Sequence, residues 1–122
     1  MNLTEALTRW SELEPERCEL LTTSGIDGVL VAYGDDDDDD PTFVTDEKWD
    51  HPTLEYALRE AISARPNFWD WQIRGSKEGV HYAEINFIVP HPRYKNYSAS
   101  SSSSAAHALL KAYVAYLEGL AT

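Results

Sequence analysis

Leu3, Leu7, Trp10 and Leu13 recur at three- and four-residue intervals, so residues 3 to 13 carry an apolar side and a polar side. That period predicts a first helix, with Thr4 and Glu5 as its polar start and Pro15 as its stop. Glu19 to Thr23 and Val29 to Tyr33 read as two short strands around the turn-prone Ser24-Gly25-Ile26-Asp27-Gly28, which makes them a hairpin. A second apolar stripe, Leu54, Ala57, Leu58, Ala61 and Ile62, predicts a helix from Pro52 to Ala64. Asp50 or Thr53 can cap it, proline lacks only an N–H that a first turn leaves unbonded, and Pro66 ends it.

The period then changes from about 3.6 to 2. Trp69, Trp71 and Ile73 alternate with Asp70, Gln72 and Arg74, and Ala83, Ile85, Phe87 and Val89 alternate with Tyr82, Glu84 and Asn86. Gly75-Ser76-Lys77-Glu78-Gly79 is short enough to join these two half-buried strands only as an antiparallel hairpin. Trp69 and Trp71 with Tyr82 therefore read as sheet core and cross-strand packing. After Pro90 and Pro92 a polar loop runs to Ser98. A serine of the 100 to 104 run caps a last helix to about Glu118, with Gly119 at its exit and Ala106, Leu109, Leu110, Tyr113 and Leu117 as its buried stripe. The order α-β-β-α-β-β-α predicts an α+β domain: one antiparallel four-stranded sheet built from two hairpins, with three helices packed on it.

Composition narrows the setting. At 122 residues and 13.8 kDa, with 43% hydrophobic residues and 14 aromatic side chains divided among four Trp, seven Tyr and three Phe, the chain has the size and apolar content of one folded domain. The single cysteine, Cys18, forms no internal disulfide and reads as a buried thiol. A polar start after Met1 and the lack of any apolar run of about 18 residues place the expectation in the cytoplasm, with no membrane contact. The net charge is −11, and six of the 21 acidic residues stand together as Asp35, Asp36, Asp37, Asp38, Asp39 and Asp40. Such a chain repels phosphate backbones, so direct nucleic-acid binding is not expected, whereas a basic protein partner is attracted.

The Asp35 to Asp40 run must be solvated, because like charges in sequence cannot pack. It lacks the alternating ligands, central glycine and distal glutamate of a calcium loop, and it offers a partner-binding face that imitates a nucleic-acid backbone. His51, His81, His91 and His107 are too scattered for a zinc site, so neither a metal nor a cofactor is expected. His81 and Glu84 lie on opposite faces of one strand and form no acid–base pair, and no catalytic residue is assigned. The one cationic and aromatic cluster is His91-Pro92-Arg93-Tyr94-Lys95-Asn96-Tyr97. Arg93 and Lys95, the ring of Tyr94 or Tyr97, and the helix start near Ser100 are the parts of a site for a nucleotide-like anion. Exposed sheet edges leave homo-oligomers open without any residue demanding them.

The helix Pro52 to Ala64, the strand Phe68-Trp69-Asp70-Trp71, the strand ending at Val89, and the closing helix from Ala105-Ala106-His107-Ala108-Leu109-Leu110-Lys111-Ala112-Tyr113 to Leu117-Glu118-Gly119 together resemble phage and prophage α-β-α sandwich domains. The resemblance covers about residues 45 to 119, rests on residue classes, and does not extend to the acidic run or the hairpin before it. It implies a small accessory or inhibitor protein of a virus or integrated element, acting on a host or phage protein by binding rather than by catalysis. It assigns no site residue.

Overall fold

A computed structural model describes residues 2–23, 26–31, 42–45, 47, 50–89 and 93–121. In chain order the elements are α1 (Leu3–Leu13), β1 (Cys18–Thr23), β2 (Ile26–Val31), β3 (Thr42–Thr45), α2 (His51–Ser63), β4 (Phe68–Gly75), β5 (His81–Val89), β6 (Arg93–Ser101) and α3 (Ala105–Ala121). The α+β class stands as read from the sequence, and both hairpins form, the first with Ile26, Asp27 and Gly28 in β2 rather than in the turn, but the single four-stranded sheet does not. Six strands form two separate antiparallel three-stranded sheets, ordered β1-β2-β3 and β4-β5-β6. Each hairpin gains a third strand that its sequence conceals.

The added strand of the first sheet is β3, four residues long, pairing Thr42 to Thr45 with Val31 to Gly28. Gly28 makes that pairing sterically feasible. A Cβ there would stand 2.6 Å from the Val44 carbonyl oxygen and 2.8 Å from the Phe43 ring, closer than real side chains approach. Asp50 occupies the N-cap position of α2, yet its carboxylate accepts from the Thr45 N–H (2.6 Å) instead of capping the helix. The side chain read as a cap thus ties β3 to the start of α2. At α1 the cap is Asn2, whose side-chain oxygen accepts from the Glu5 N–H (2.8 Å).

The added strand of the second sheet is β6, in the segment expected to be a loop. Its polar residues have weak strand propensity alone, but the alternation of Lys95, Tyr97 and Ala99 with Asn96, Ser98 and Ser100 matches the face of β5 residue by residue, from Val89↔Arg93 to His81↔Ser101. Between Phe68 and Asp70 the register with β5 slips by one residue. That bulge gives Phe68, opposite Phe87, the core position and leaves Trp69 56% exposed, whereas Trp71 stays half-buried as read.

α3 is the centre of the molecule. Beyond the predicted stripe it also buries Ala108, Ala112, Val114 and Tyr116, because it packs on the second sheet, on α1 and on α2 at once. A helix with three neighbours must be apolar around most of its circumference, and it continues through Gly119 to Ala121. Ser104 is its cap: the hydroxyl accepts from the His107 N–H (3.1 Å) and the carbonyl from the Ala108 N–H (3.2 Å). Among the described residues, no helix is long and apolar enough to cross a membrane.

Candidate functional site

Alternation along β6 aims Lys95, Tyr97 and Ala99 at α3, alongside Phe87, Ile85 and Ala83 of β5, which they oppose directly. At the C-terminal end of α3 these side chains leave a pocket of about 140 Å³. Phe87, Tyr97 and Tyr116 form its aromatic wall, Pro66 and Leu120 its apolar rim, Gly119 part of its backbone lining, and Lys95 and Asn67 its polar groups. Phe87 and Tyr116 stack with ring centres 4.0 Å apart, while Tyr97 meets them edge-on at 6.1 and 5.5 Å. Asn67 sits at a positive φ of 66°, held there by the Ile88 N–H donating to its carbonyl (2.8 Å). A Cβ on Gly119 would come within 3.2 Å of the Tyr97 hydroxyl oxygen, so the missing side chain gives that ring its place.

Tyr116 is positioned from behind. Its hydroxyl accepts from Arg65 Nε (3.4 Å), and the same guanidinium lies 5.4 Å above its ring centre. Arg65 in turn donates through Nη1 to Glu14 Oε2 (3.1 Å). Glu14 is 2% exposed, and its Oε1 accepts from Trp10 Nε1 (3.0 Å) and from the Tyr113 hydroxyl (2.8 Å). Arg17 Nε stands 3.7 Å from Oε2. The carboxylate is therefore fully engaged and joins α1, α3 and the segment after α2.

Burial, with the Glu14 charge beside it, pushes the Tyr113 phenol above its usual range. The Cys18 thiol is raised the same way, first by burial and then by Glu14. A buried thiol that resists ionisation is a poor nucleophile, as the sequence suggested. Desolvation works against the Arg65 charge, but its bond to Tyr116 and the nearby oxygens of Tyr113 and Glu14 prevail, so its pKa lies above the ordinary value.

Of the residues singled out in the sequence, the structure brings Lys95 and Tyr97 together in this pocket. Ser100 is exposed farther along β6, five residues from Lys95, or about 17 Å of extended chain. The start of α3 at Ser104 lies at that far end too, away from Lys95. Arg93 and Tyr94 pair through their backbones with Val89 and Ile88. The Asp35 to Asp40 run and His91 lie outside the described residues.

Sequence reasoning missed Phe87, Tyr116, Asn67 and Gly119 as pocket residues, and Arg65 and Glu14 as their supports. Phe87 was legible only as core, Tyr116 lay outside the predicted stripe of the last helix, and their convergence with Lys95 and Tyr97 depends on β6 being a strand. Trp10 and Glu14 at i and i+4 were a local signal that their side chains could meet.

Other polar groupings among the described residues stand outside the pocket. Ser101 Oγ lies 2.7 Å from His107 Nδ1 and accepts from the Ser103 N–H (2.9 Å), but Ser101 and His107 are each only 6% exposed. The pair ties β6 to α3 and presents no hydroxyl to a substrate. On the open face of the second sheet, Asn86 donates to Asp70 (2.8 Å), Asn96 donates to Asn86 (2.8 Å) and to Glu84, and Arg74 faces Glu84 at 3.6 Å. Among the described residues no three His, Cys, Asp or Glu side chains gather where a metal ion could be held. No protein-family model, curated protein or solved structure matches this chain.

Proposed function

We propose that this protein binds a small anionic ligand carrying a flat ring, nucleotide-like in having a ring and an anion, and that it acts by binding without chemistry. One observation carries the reading: a cation, Lys95, stands at the mouth of a pocket walled by Phe87, Tyr97 and Tyr116. Aromatic walls favour a ring and the ammonium favours an anion, and the pocket has the few polar groups and apolar lining typical of ligand sites. The test is a thermal-shift screen against mononucleotides and small aromatic acids. A ligand present at a hundred times its Kd stabilises by about 2.7 kcal/mol, which is readily measured. The rise should vanish in Tyr97→Ala and shrink in Lys95→Ala; a wild-type screen flat for every anion would refute the reading.

A second reading rests on charge. The net −11, with six aspartates in one run, supports capture of a basic host or phage protein through an acidic face, the role of an accessory or inhibitor protein that the resemblance to phage domains implies. Replacing Asp35 to Asp40 by Asn should leave the melting temperature in place and abolish salt-sensitive capture of that partner. Capture that survives the replacement removes the run from the mechanism.

A further inference from the structure

The construction of the pocket bears on which class of ring-bearing anion it would take; this step rests on the small-ligand reading above. A dry cavity of about 150 Å³ holds one benzene ring. The present pocket, at about 140 Å³ and partly open to solvent, thus seats a single six-membered ring, and the second ring of a fused pair would extend toward solvent. Its charge is equally restrictive. Among the described residues that line it, Lys95 is the one cationic side chain, and it is exposed.

The helix end that lines the pocket is a C-terminus. Tyr116, Gly119 and Leu120 belong to the last two turns of α3, which ends at Ala121. The last four carbonyls of a helix lack intrahelical partners and carry about half a negative charge between them. Phosphate sites use the opposite end, where N–H groups converge, and the N-terminus of α3 lies at the far end of β6. A dianionic phosphate at Lys95 would thus face one ammonium with a negative helix end behind it. A monoanion on a short arm, its ring inserted and its charge on Lys95, meets that repulsion with half the charge of the dianion and needs only one cation. Asn67 at the rim can donate a second hydrogen bond to a carboxylate oxygen.

We propose that the pocket at the end of α3 is a site for a single-ring aromatic monocarboxylate, with the ring among Phe87, Tyr97 and Tyr116 and the carboxylate on Lys95.

The experiment is isothermal titration of the full chain with phenylacetate, phenylacetamide, 2-naphthoate and uridine monophosphate, in the wild type and in Lys95→Met. Circular dichroism of Lys95→Met checks the fold, which an exposed side chain leaves intact. The proposal expects phenylacetate to bind about tenfold tighter than its amide, the ratio one charge-assisted hydrogen bond supports. Lys95→Met should erase that ratio, and naphthoate and the nucleotide should bind more weakly than phenylacetate. Equal affinity for acid and amide in the wild type overturns the proposal, as does a ratio that survives Lys95→Met. Tighter binding of the nucleotide overturns the carboxylate assignment and leaves the small-ligand reading standing, whereas no binding of any anion removes both.

Discussion

Replacing Glu14 by Ala should be among the most damaging single changes available to this protein. The carboxylate is 2% exposed and serves Trp10 Nε1, the Tyr113 hydroxyl and Arg65 Nη1 at 3.0, 2.8 and 3.1 Å. Removing it strands two neutral donors and a guanidinium whose side chain is only 21% exposed. Breaking a buried ion pair by deleting one partner costs about 3–5 kcal/mol, and the stranded Trp and Tyr donors overlap with that figure rather than adding to it in full. About 4 kcal/mol is a fair expectation. Unfolding entropy of about 2.1 cal/mol/K per residue makes each kcal/mol worth about 4 °C for a chain of this length, so Tm should fall by about 15 °C.

Glu14→Gln keeps the shape and one acceptor oxygen but loses the charge, and its Tm should lie between wild type and Ala. Adding Arg65→Met to Glu14→Ala removes one of the two guanidiniums beside the lost carboxylate and should restore part of the loss, because the two residues are directly coupled. Calorimetry of the wild type and these three variants reads all of this. A fall below about 4 °C for Glu14→Ala, equivalent to 1 kcal/mol, would refute the hub as a major contributor.

Further outcomes follow from other contacts. Stability should decline above about pH 9: Cys18 and Tyr113 keep their protons in the folded chain, while the unfolded thiol and phenol ionise from their ordinary values of 9.0 and 10.0, so the unfolded state gains and ΔG falls as pH rises. By pH 10 the Cys18 share is about 1.4 kcal/mol, and Cys18→Ala should flatten a denaturation series between pH 8 and 10 by that amount; an unchanged slope contradicts the assignment. Gly28→Ala drives a Cβ into the Val44 carbonyl and should cost about 1–3 kcal/mol by urea denaturation, with no cost if β3 does not cross there. Ser104→Ala removes the α3 cap and should cost about 1 kcal/mol, against near neutrality for exposed Ser102→Ala.

What the sequence conveyed and what it hid follow one physical division. Elements whose identity is set by their own periodicity were legible: α1 over residues 3 to 13, the stripe of α2, and the alternation of β4 and β5. β3 and β6 are strands because of their partners. Thr42 to Thr45 is too short to show a period, and its pairing depends on the absent side chain of Gly28, a contact between positions 15 to 16 residues apart. Lys95 to Ser100 is polar and serine-rich, and only the complementary face of β5 makes it extended. Missing these two strands turned two sheets into one.

The same omission scattered the site. Read as a loop, Lys95 could reach the serines that start α3; as a strand it is carried about 17 Å away and set beside Phe87 and Tyr116 instead. Lys95 and Tyr97 could be picked out because they belong to the cationic and aromatic cluster from His91 to Tyr97. Trp69 shows the reverse failure, since the bulge that expels it from the core leaves no trace in a two-residue period.

The measurement that bears most directly on the central claim is an NMR titration of the isotope-labelled chain with phenylacetate, following backbone amides. Ligand at the proposed site should shift Asn67, Lys95, Tyr97, Gly119 and Leu120 together, with one common dissociation constant, and leave Ser102, Ser103 and the exposed β4 residues Gln72 and Arg74 in place. Shifts confined to any other surface, or none at saturating ligand, would contradict the assignment of this pocket as the binding site.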